Sequence, residues 1–289
     1  MKVARSPGEL TAQSRAVAIG TFDGVHLGHR AVIQAAQAAG LRTTTMVTFD
    51  PHPRIVLGNQ VELLATLERR LELFAEVGVD EVLVVPFTLE LARLEPEAFA
   101  ESYLSAIGAR VVVAGENFRF GRARSGDLEL LRRLGFDARR VPLVDGVSST
   151  AIRQLIRAGD VESAARLLGR PPELDGIVVA GDARGGTLGF PTANLAVSPE
   201  LLVPAYGIYA GSASGHRAAV SIGTNPHYGG EERRIESFLL DFEGDLYGRR
   251  LIVELWTRLR DERVFESEGE LVEQIALDVE STRAARRPV

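Results

Sequence analysis

The hydrophobic rhythm of the chain changes near residue 170, and this change constrains the fold more than any other feature. From residue 16 to residue 168, short apolar runs rich in Val and Ile alternate with longer amphipathic stretches. Such runs are typical of parallel strands that are buried on both faces. The alternation therefore predicts an α/β domain with a doubly wound parallel sheet. The predicted strands are 16–20, 43–49, 81–85, 110–114 and 137–141, and the predicted helices are 30–39, 67–77, 96–107, 126–134, 149–157 and 161–168.

Beyond the paired prolines of "GRPPEL", the apolar stretches are short, alternate with polar residues and are separated by Gly, Pro and Asn. This pattern predicts an antiparallel sheet or a small barrel. The boundary predicts one domain over 1–170 and a second over 171–289. The predicted strands of the second domain are 176–180, 207–212, 217–222, 234–240 and 251–259. A terminal helix over 268–285 is predicted to pack on them through positions 271, 272, 275, 276 and 279.

Composition excludes several classes of protein. The 289-residue chain has no cysteine, so it has neither disulfides nor thiolate chemistry. A net charge of −6 argues against a nucleic-acid partner. No apolar run approaches the ~20 residues that span a bilayer, and the amino terminus lacks the apolar core of a secretory signal. We therefore expect a cytoplasmic protein that binds neither nucleic acid nor membrane.

Lysine is almost absent, since Lys2 is the only one. A Walker A loop and a protein kinase each require a lysine on the nucleotide phosphates, so neither is present. Any phosphate chemistry must use arginine, histidine, backbone amides or a metal ion.

The segment "GTFDGVHLGH" at 20–29 places two of the five histidines where a predicted strand turns into a helix. His26 and His29 are compatible with three roles. They are a helix cap, a metal site completed by His52 and Asp50, or donors to a phosphate beside the free N–H groups of a helix amino terminus. The phosphate role fits best, because glycines let a ligand approach the backbone and no lysine is available.

Three further segments follow predicted strands or begin a helix. They are "TFDPHP" at 48–53, "GENFRFG" at 115–121 and "SSTAIR" at 148–153. Since ligands of parallel sheets bind beyond the carboxyl ends of the strands, we expect these segments to converge on one crevice. The candidate binding residues in them are His52, Pro53, Asn117, Phe118, Phe120, Ser148, Ser149, Thr150 and Arg153.

The carboxyl-terminal part contains the glycine-rich stretch "GDARGGTLGFPTANL" at 181–195. A barrel turn explains two or three glycines but not a Thr-x-Asn pair after so many. Further along, alternation places Glu236 on the same strand face as Phe238 and Leu240. A carboxylate there is either a strand-end residue reaching solvent or a positioned general base.

Taken in order, the four amino-terminal motifs resemble the FMN adenylyltransferase module of bacterial bifunctional riboflavin kinase/FAD synthetases, a Rossmann-like nucleotidyltransferase. The resemblance implies that AMP passes from ATP to FMN, giving FAD and pyrophosphate. His26 and His29 would act in catalysis on the ATP phosphates, and Asn117, Phe118, Phe120, His52 and Pro53 would contact flavin or nucleotide. The remaining phosphate-binding residues implied are Gly20, Phe22, Asp23, Gly24, Ser148, Ser149, Thr150 and Arg153. The family often has Asn where Thr21 stands.

The carboxyl-terminal motifs resemble the riboflavin kinase module of the same family, a six-stranded Greek-key β-barrel. The resemblance implies that ATP phosphorylates riboflavin, with Glu236 as base and with Thr192 and Asn194 at the site of Mg²⁺. The implied nucleotide-binding residues are Gly181, Gly185, Gly189, Pro191, Thr192 and Asn194. The chain departs from the family pattern at Gly186, where arginine is usual, and at His227, Ser237 and Phe238.

The predicted function is therefore bifunctional: riboflavin to FMN, then FMN to FAD, with ATP and Mg²⁺. Two alternatives stay open at this point. One is a monofunctional FMN adenylyltransferase whose kinase domain is impaired by Gly186. The other is a flavin- or nucleotide-binding regulator without turnover.

Overall fold

A computed structural model describes residues 1–181, 190–224 and 233–289. These residues form two compact units. The first comprises 1–61 and 67–147, and the second comprises 62–66 and 148–289.

The first unit is built on a six-stranded sheet in the order β1-β4-β3-β2-β5-β6, with every neighbouring pair parallel. This confirms the predicted parallel sheet. The three-residue edge strand β1 was not predicted. The strands are β1 Lys2–Ala4, β2 Arg15–Ile19, β3 Thr44–Asp50, β4 Glu81–Pro86, β5 Ala109–Gly115 and β6 Asp137–Val141.

Helices cover both faces of this sheet. Successive residues of β2 show the arrangement, because Val17 and Ile19 pack in one apolar cluster while Ala16 and Ala18 pack in another. The predicted helix over 96–107 is divided, since the α-helix Pro96–Phe99 continues as a π-helical segment, Ala100–Ser105. The helices are α1 Leu27–Gln37, α2 Pro53–Val56, α3 Leu67–Glu76, α4 Leu89–Ala92, α5 Pro96–Phe99 and α6 Leu128–Arg133.

The second unit contains a closed antiparallel barrel in the order β10-β11-β8-β7-β12-β9. Six strands are present, as the family resemblance implies; the sequence pattern missed β8. The strands are β7 Glu173–Val179, β8 Ala193–Val197, β9 Gly207–Ala213, β10 His216–Thr224, β11 Arg233–Leu239 and β12 Arg250–Arg260. The helices of this unit are α7 Ser149–Arg157, α8 Val161–Leu168 and α9 Glu268–Ala284.

The terminal helix α9 packs differently from the prediction. Its buried residues are Asp278, Val279 and Thr282, whereas Ala276 is exposed. The cause is electrostatic: the Arg260 guanidinium donates to both Asp278 carboxylate oxygens at 2.7–3.1 Å. The ion pair draws a polar face of the helix onto the barrel, and the predicted apolar stripe is only partly covered.

Helices α7 and α8, which the predicted boundary near residue 170 assigns to the first domain, belong to the second compact unit. Ile152 and Leu168 of these helices share an apolar cluster with Leu64 and Leu202. The short segment 62–66 therefore belongs to the second unit although α2 and α3, on either side of it, belong to the first. No helix within the described ranges is long and apolar enough to cross a membrane.

Candidate functional site

The histidine turn follows β2 at the carboxyl edge of the parallel sheet. His26 is the N-cap of α1, and its Nδ1 accepts a hydrogen bond of 3.2 Å from the backbone N–H of His29. The two imidazole rings stack with their centroids 3.5 Å apart and their planes 15° from parallel. The capping and the phosphate-binding roles are therefore compatible, because the cap fixes the rings at the helix amino terminus.

The cap also fixes which ring nitrogen of His26 can donate. Since Nδ1 accepts, the neutral imidazole carries its proton on Nε2. That N–H, together with the dipole of α1, offers hydrogen-bonding capacity to an anion.

Close packing explains the residues around the histidines. A Cβ on Gly28 would lie 3.2 Å from the His26 ring, so the glycine leaves room for the stacked pair. The Phe22 ring packs edge-on against His29 at 5.3 Å and lies 3.3 Å from where a Cβ on Gly20 would be. Gly24 has a φ of +84°, which glycine adopts without steric cost.

A second histidine cap follows the end of β3. His52 is the N-cap of the short helix α2, and its Nδ1 accepts from the backbone N–H of Arg54 at 3.2 Å. Pro53 begins that helix, and the peptide bond between Asp50 and Pro51 is cis. The loop after β2 is tied to β3 itself, since the Thr48 hydroxyl of that strand donates to the Thr21 carbonyl at 3.0 Å.

The segment after β5 presents one polar and two aromatic candidates. Asn117 is exposed, and its Oδ1 lies 3.5 Å from where a Cβ on Gly115 would be. Phe118 and Phe120 stack at 5.5 Å, but Phe120 is only 7% exposed and packs against Phe99. Phe118 is therefore the more accessible ring for a flat ligand.

Ser148 to Arg153 belong to the second unit. The Ser148 hydroxyl caps α7 by accepting from the Ala151 N–H at 3.1 Å. Ser149 and Thr150 lie in the first turn of this helix. Arg153 is largely buried, and its Nε donates to the Glu62 carbonyl at 2.7 Å. The phosphate-binding role of these residues stays a prediction.

The barrel brings Thr192 and Asn194 next to Glu236, which lies 44 residues beyond Thr192 in the sequence. The Thr192 hydroxyl lies 3.3 Å from the Glu236 carboxylate, and Asn194 is the register partner of Glu236 across the β8–β11 pair. The Asn194 amide lies so close to Gly181 that a Cβ there would collide with it. Pro191, which directly precedes Thr192, is exposed.

Strand alternation in β11 agrees with the predicted orientation of Glu236. Glu236 and Phe238 are half-buried on the outer face, while Ile235 and Ser237 point into the barrel. Phe238 packs edge-on against Phe190 at 5.4 Å, so an aromatic pair flanks the carboxylate. Leu240 lies beyond the strand end and is buried, which departs from the predicted shared face.

Four residues named in the sequence analysis fall outside the described ranges. They are Gly185, Gly186, Gly189 and His227.

Metal-binding capacity differs between the candidates. The described residues contain no group of three or more His, Cys, Asp or Glu side chains that could hold a metal ion, so the histidine turn is not supported as a metal centre. Thr192, Asn194 and Glu236 instead supply hydroxyl, amide and carboxylate oxygens, the hard ligands that Mg²⁺ accepts beside nucleotide phosphates.

One buried residue near the histidine turn escaped the sequence analysis. Arg70 of α3 donates to the Thr21 carbonyl at 2.7 Å and to the Phe49 carbonyl at 3.3 Å. Burial lowers its pKa, and the negative charges of Asp23 and Asp50 oppose that shift. The helical spacing of Arg70 could have predicted its burial, because it shares the buried face of an amphipathic helix with Leu73 and Phe74.

A Rossmann-like parallel sheet of the nucleotidyltransferase type, combined with a closed barrel of antiparallel strands, defines the class of protein. Family models agree with both parts: FAD synthetase matches residues 9–152, and riboflavin kinase matches residues 168–286. The chain belongs to the bifunctional riboflavin kinase/FMN adenylyltransferase family.

Curated relatives of that name cover most of the chain. The protein from Listeria monocytogenes is 39% identical over 96% of this chain and 94% of its own length. The protein from Bacillus subtilis is 36% identical over 91% of this chain and 89% of its own.

A crystal structure from Streptococcus pneumoniae has the same fold over nearly the whole chain. It has a TM-score of 0.87 and 33% sequence identity, and it covers 97% of this chain and 98% of that one. It is named as a macrolide-efflux protein. That name belongs to the Streptococcus protein and brings no function to this chain.

Proposed function

We propose that this chain phosphorylates riboflavin to FMN at the barrel and transfers AMP from ATP to FMN at the parallel sheet, giving FAD and pyrophosphate. The observation that carries the proposal is that each unit assembles its own polar cluster. The stacked histidines lie at a helix amino terminus, and Thr192, Asn194 and Glu236 lie on paired strands.

At the barrel, Glu236 accepts the proton of the riboflavin 5′-hydroxyl. The hydroxyl oxygen forms a bond to the γ-phosphorus of ATP as the bond to ADP breaks. Thr192 and Asn194 would hold Mg²⁺, which supplies charge neutralisation on the nucleotide phosphates when it is bound. The half-exposed position of Glu236 leaves its carboxylate accessible to a substrate while Thr192 holds it by a hydrogen bond.

At the parallel sheet, a phosphate oxygen of FMN attacks the α-phosphorus of ATP and pyrophosphate leaves. No protein nucleophile is required, because the FMN phosphate is itself nucleophilic. His26 and His29 donate hydrogen bonds to phosphate oxygens as negative charge moves to the leaving group. The fixed rings need little reorganisation during the reaction, which is how preorganised donors lower a barrier.

The product profile of the purified full-length chain tests the proposal. With riboflavin, ATP and Mg²⁺, we expect FMN to appear first and FAD to accumulate, as measured by chromatography of the flavins. Accumulation of FMN without FAD would contradict the assignment of the first unit.

A parallel reaction supplied with FMN separates the alternatives. FAD formed from FMN but not from riboflavin would indicate a monofunctional adenylyltransferase. Flavin binding without consumption of ATP in either reaction would indicate a regulator.

A further inference from the structure

We propose that Arg70 is a positioning residue for adenylyl transfer, because its guanidinium fixes the strained turn that carries His26 and His29. This inference rests on the proposed function of the first unit. Arg70 does not belong to any of the sequence motifs above, and it acts through the backbone rather than on a substrate.

The guanidinium joins the carboxyl ends of two neighbouring strands. Its Nη1 donates to the carbonyl of Thr21, just beyond β2, and its Nη2 donates to the carbonyl of Phe49 in β3. The Asp50 carboxylate lies 3.6 Å from Nη2. Arg70 is 4% exposed, so water does not compete effectively for these bonds.

The turn after Thr21 needs such support. Phe22 and Val25 have φ values of +52° and +42°, a region that is unfavourable for side chains with a Cβ and rare for a β-branched residue. Conformations of this kind are strained and persist only where the surroundings determine them. Arg70 and Thr48 both donate to the Thr21 carbonyl and so hold the residue that directly precedes the strained stretch.

A short chain of contacts connects this anchor to the catalytic rings. Thr21 precedes Phe22 directly, and the Phe22 ring packs edge-on against His29 at 5.3 Å. His29 in turn stacks on His26. A shift of the Thr21 carbonyl therefore moves the aromatic wall that sets the orientation of both imidazoles.

Charge supports the same role. Asp23 is 1% exposed and lies within the turn, and a buried carboxylate is costly unless a positive charge lies near it. The positive charge of Arg70 interacts with Asp23 and Asp50. A lysine in this position keeps the charge, but it lacks the planar fork that spans two carbonyls.

The same domain supplies a matched control. Arg15 is fully buried at the opposite, amino-terminal edge of the sheet, where it bonds to Glu81 and to the Thr45 hydroxyl. Replacing either arginine by lysine removes a buried fork and keeps the charge. Only the change at Arg70 alters the support of the histidine turn.

The experiment compares Arg70→Lys, Arg15→Lys and Thr48→Val in the full-length chain, well below the unfolding temperature of each. We expect Arg70→Lys to lower kcat for FAD formation from FMN by about 10- to 100-fold, the scale of an ångström-sized misplacement. FMN formation from riboflavin is expected to be unchanged. Thr48→Val removes the second donor to the same carbonyl and is expected to give a smaller loss of the same kcat.

Arg15→Lys is expected to lower the unfolding temperature while leaving kcat for FAD formation at the wild-type level. Wild-type kcat in both Arg70→Lys and Thr48→Val, or an equal loss in Arg15→Lys, would overturn the positioning role. Thr48→Val keeps the test decisive if Arg70→Lys does not fold. A wild-type chain that forms no FAD would instead refute the proposed function itself.

Discussion

The two candidate sites both present polar side chains suited to phosphate chemistry, but the fold assembles them in different ways. In the first unit, His26 and His29 lie on one turn, and a hydrogen bond between them closes the helix cap. In the second, Thr192 and Glu236 are 44 residues apart and meet because β8 pairs with β11. The first geometry is local, and the second depends on strand register.

The two sites are therefore expected to be disturbed by different kinds of structural change. A local cap tolerates changes elsewhere in the domain as long as the turn keeps its shape. A site made by register depends on every bond that aligns the two strands, because a one-residue slip turns a side chain to the other face.

The largest expected effect is at the barrel. Glu236→Gln keeps the shape of the side chain but removes the base, and we expect FMN formation to fall by about 10³-fold. Initial rates with riboflavin measure this loss. Conversion of FMN to FAD by the same variant serves as the control and is expected to match the wild type. A comparable loss of both activities would refute separate sites.

The next effect is at the histidine turn. His29→Ala removes a donor to the ATP phosphates, and we expect FAD formation to fall by about 10²-fold. FMN formation is expected to continue at the wild-type rate. Assays of the two half-reactions on one preparation decide the matter, and an unchanged FAD rate would contradict the role of this ring.

A smaller effect tests the local packing. Gly28 and Gly269 each occupy the second residue of a helix, after the caps His26 and Ser267. A methyl group on Gly28 meets the His26 ring at 3.2 Å, whereas on Gly269 the nearest atom is 3.8 Å away. We expect Gly28→Ala to reduce the rate of FAD formation by about 10-fold, as a displaced catalytic ring does.

Gly269→Ala is the matched control, since it also gains helix propensity without crowding. It is expected to leave FAD formation unchanged. Equal rates in the two alanine variants would mean that the stacked rings are not required in this arrangement.

The smallest expected effect is a pH dependence of stability in the second unit. Burial raises the pKa of Glu254, but hydrogen bonds from Arg287 and Trp256 outweigh it and hold the pKa below its ordinary value. A carboxyl with a lowered pKa stabilises the fold above its unfolded pKa, and that contribution is lost as pH falls through the folded pKa.

Glu254→Gln therefore should lower the unfolding temperature near pH 7, and the difference from the wild type should shrink as pH falls below about 4. Thermal unfolding followed by circular dichroism over this range measures it. A difference that stays constant with pH would show that the ionised pair does not contribute.

Much of the fold could be predicted because its signals are local. The helices predicted over 149–157 and 161–168 coincide with α7 and α8, and every parallel strand except β1 was predicted. The strand β8 was missed, because its five residues follow a Gly- and Pro-rich stretch that conceals the alternation. The family resemblance, rather than the pattern, supplied the sixth strand.

The candidate sites likewise contain local features that the sequence predicts and tertiary contacts that it does not. The histidine turn could be located from sequence because a cap and its helix are contiguous. The contact between Thr192 and Glu236 could not be derived, since it depends on register across the barrel. Arg70 and Asp278 were missed because burial of a charged side chain is decided by tertiary partners that no local pattern reveals.

The segment 62–66 has a consequence for synthesis on the ribosome. The backbone of Leu63 hydrogen-bonds with Glu200 and Leu202, and the Glu62 carbonyl accepts from Arg153. At about 5–20 residues per second, the usual rate of synthesis, Leu63 is made roughly 7–28 s before Leu202. The nascent first half therefore carries an unfinished loop, and a gene cut after residue 147 leaves that loop without its partners.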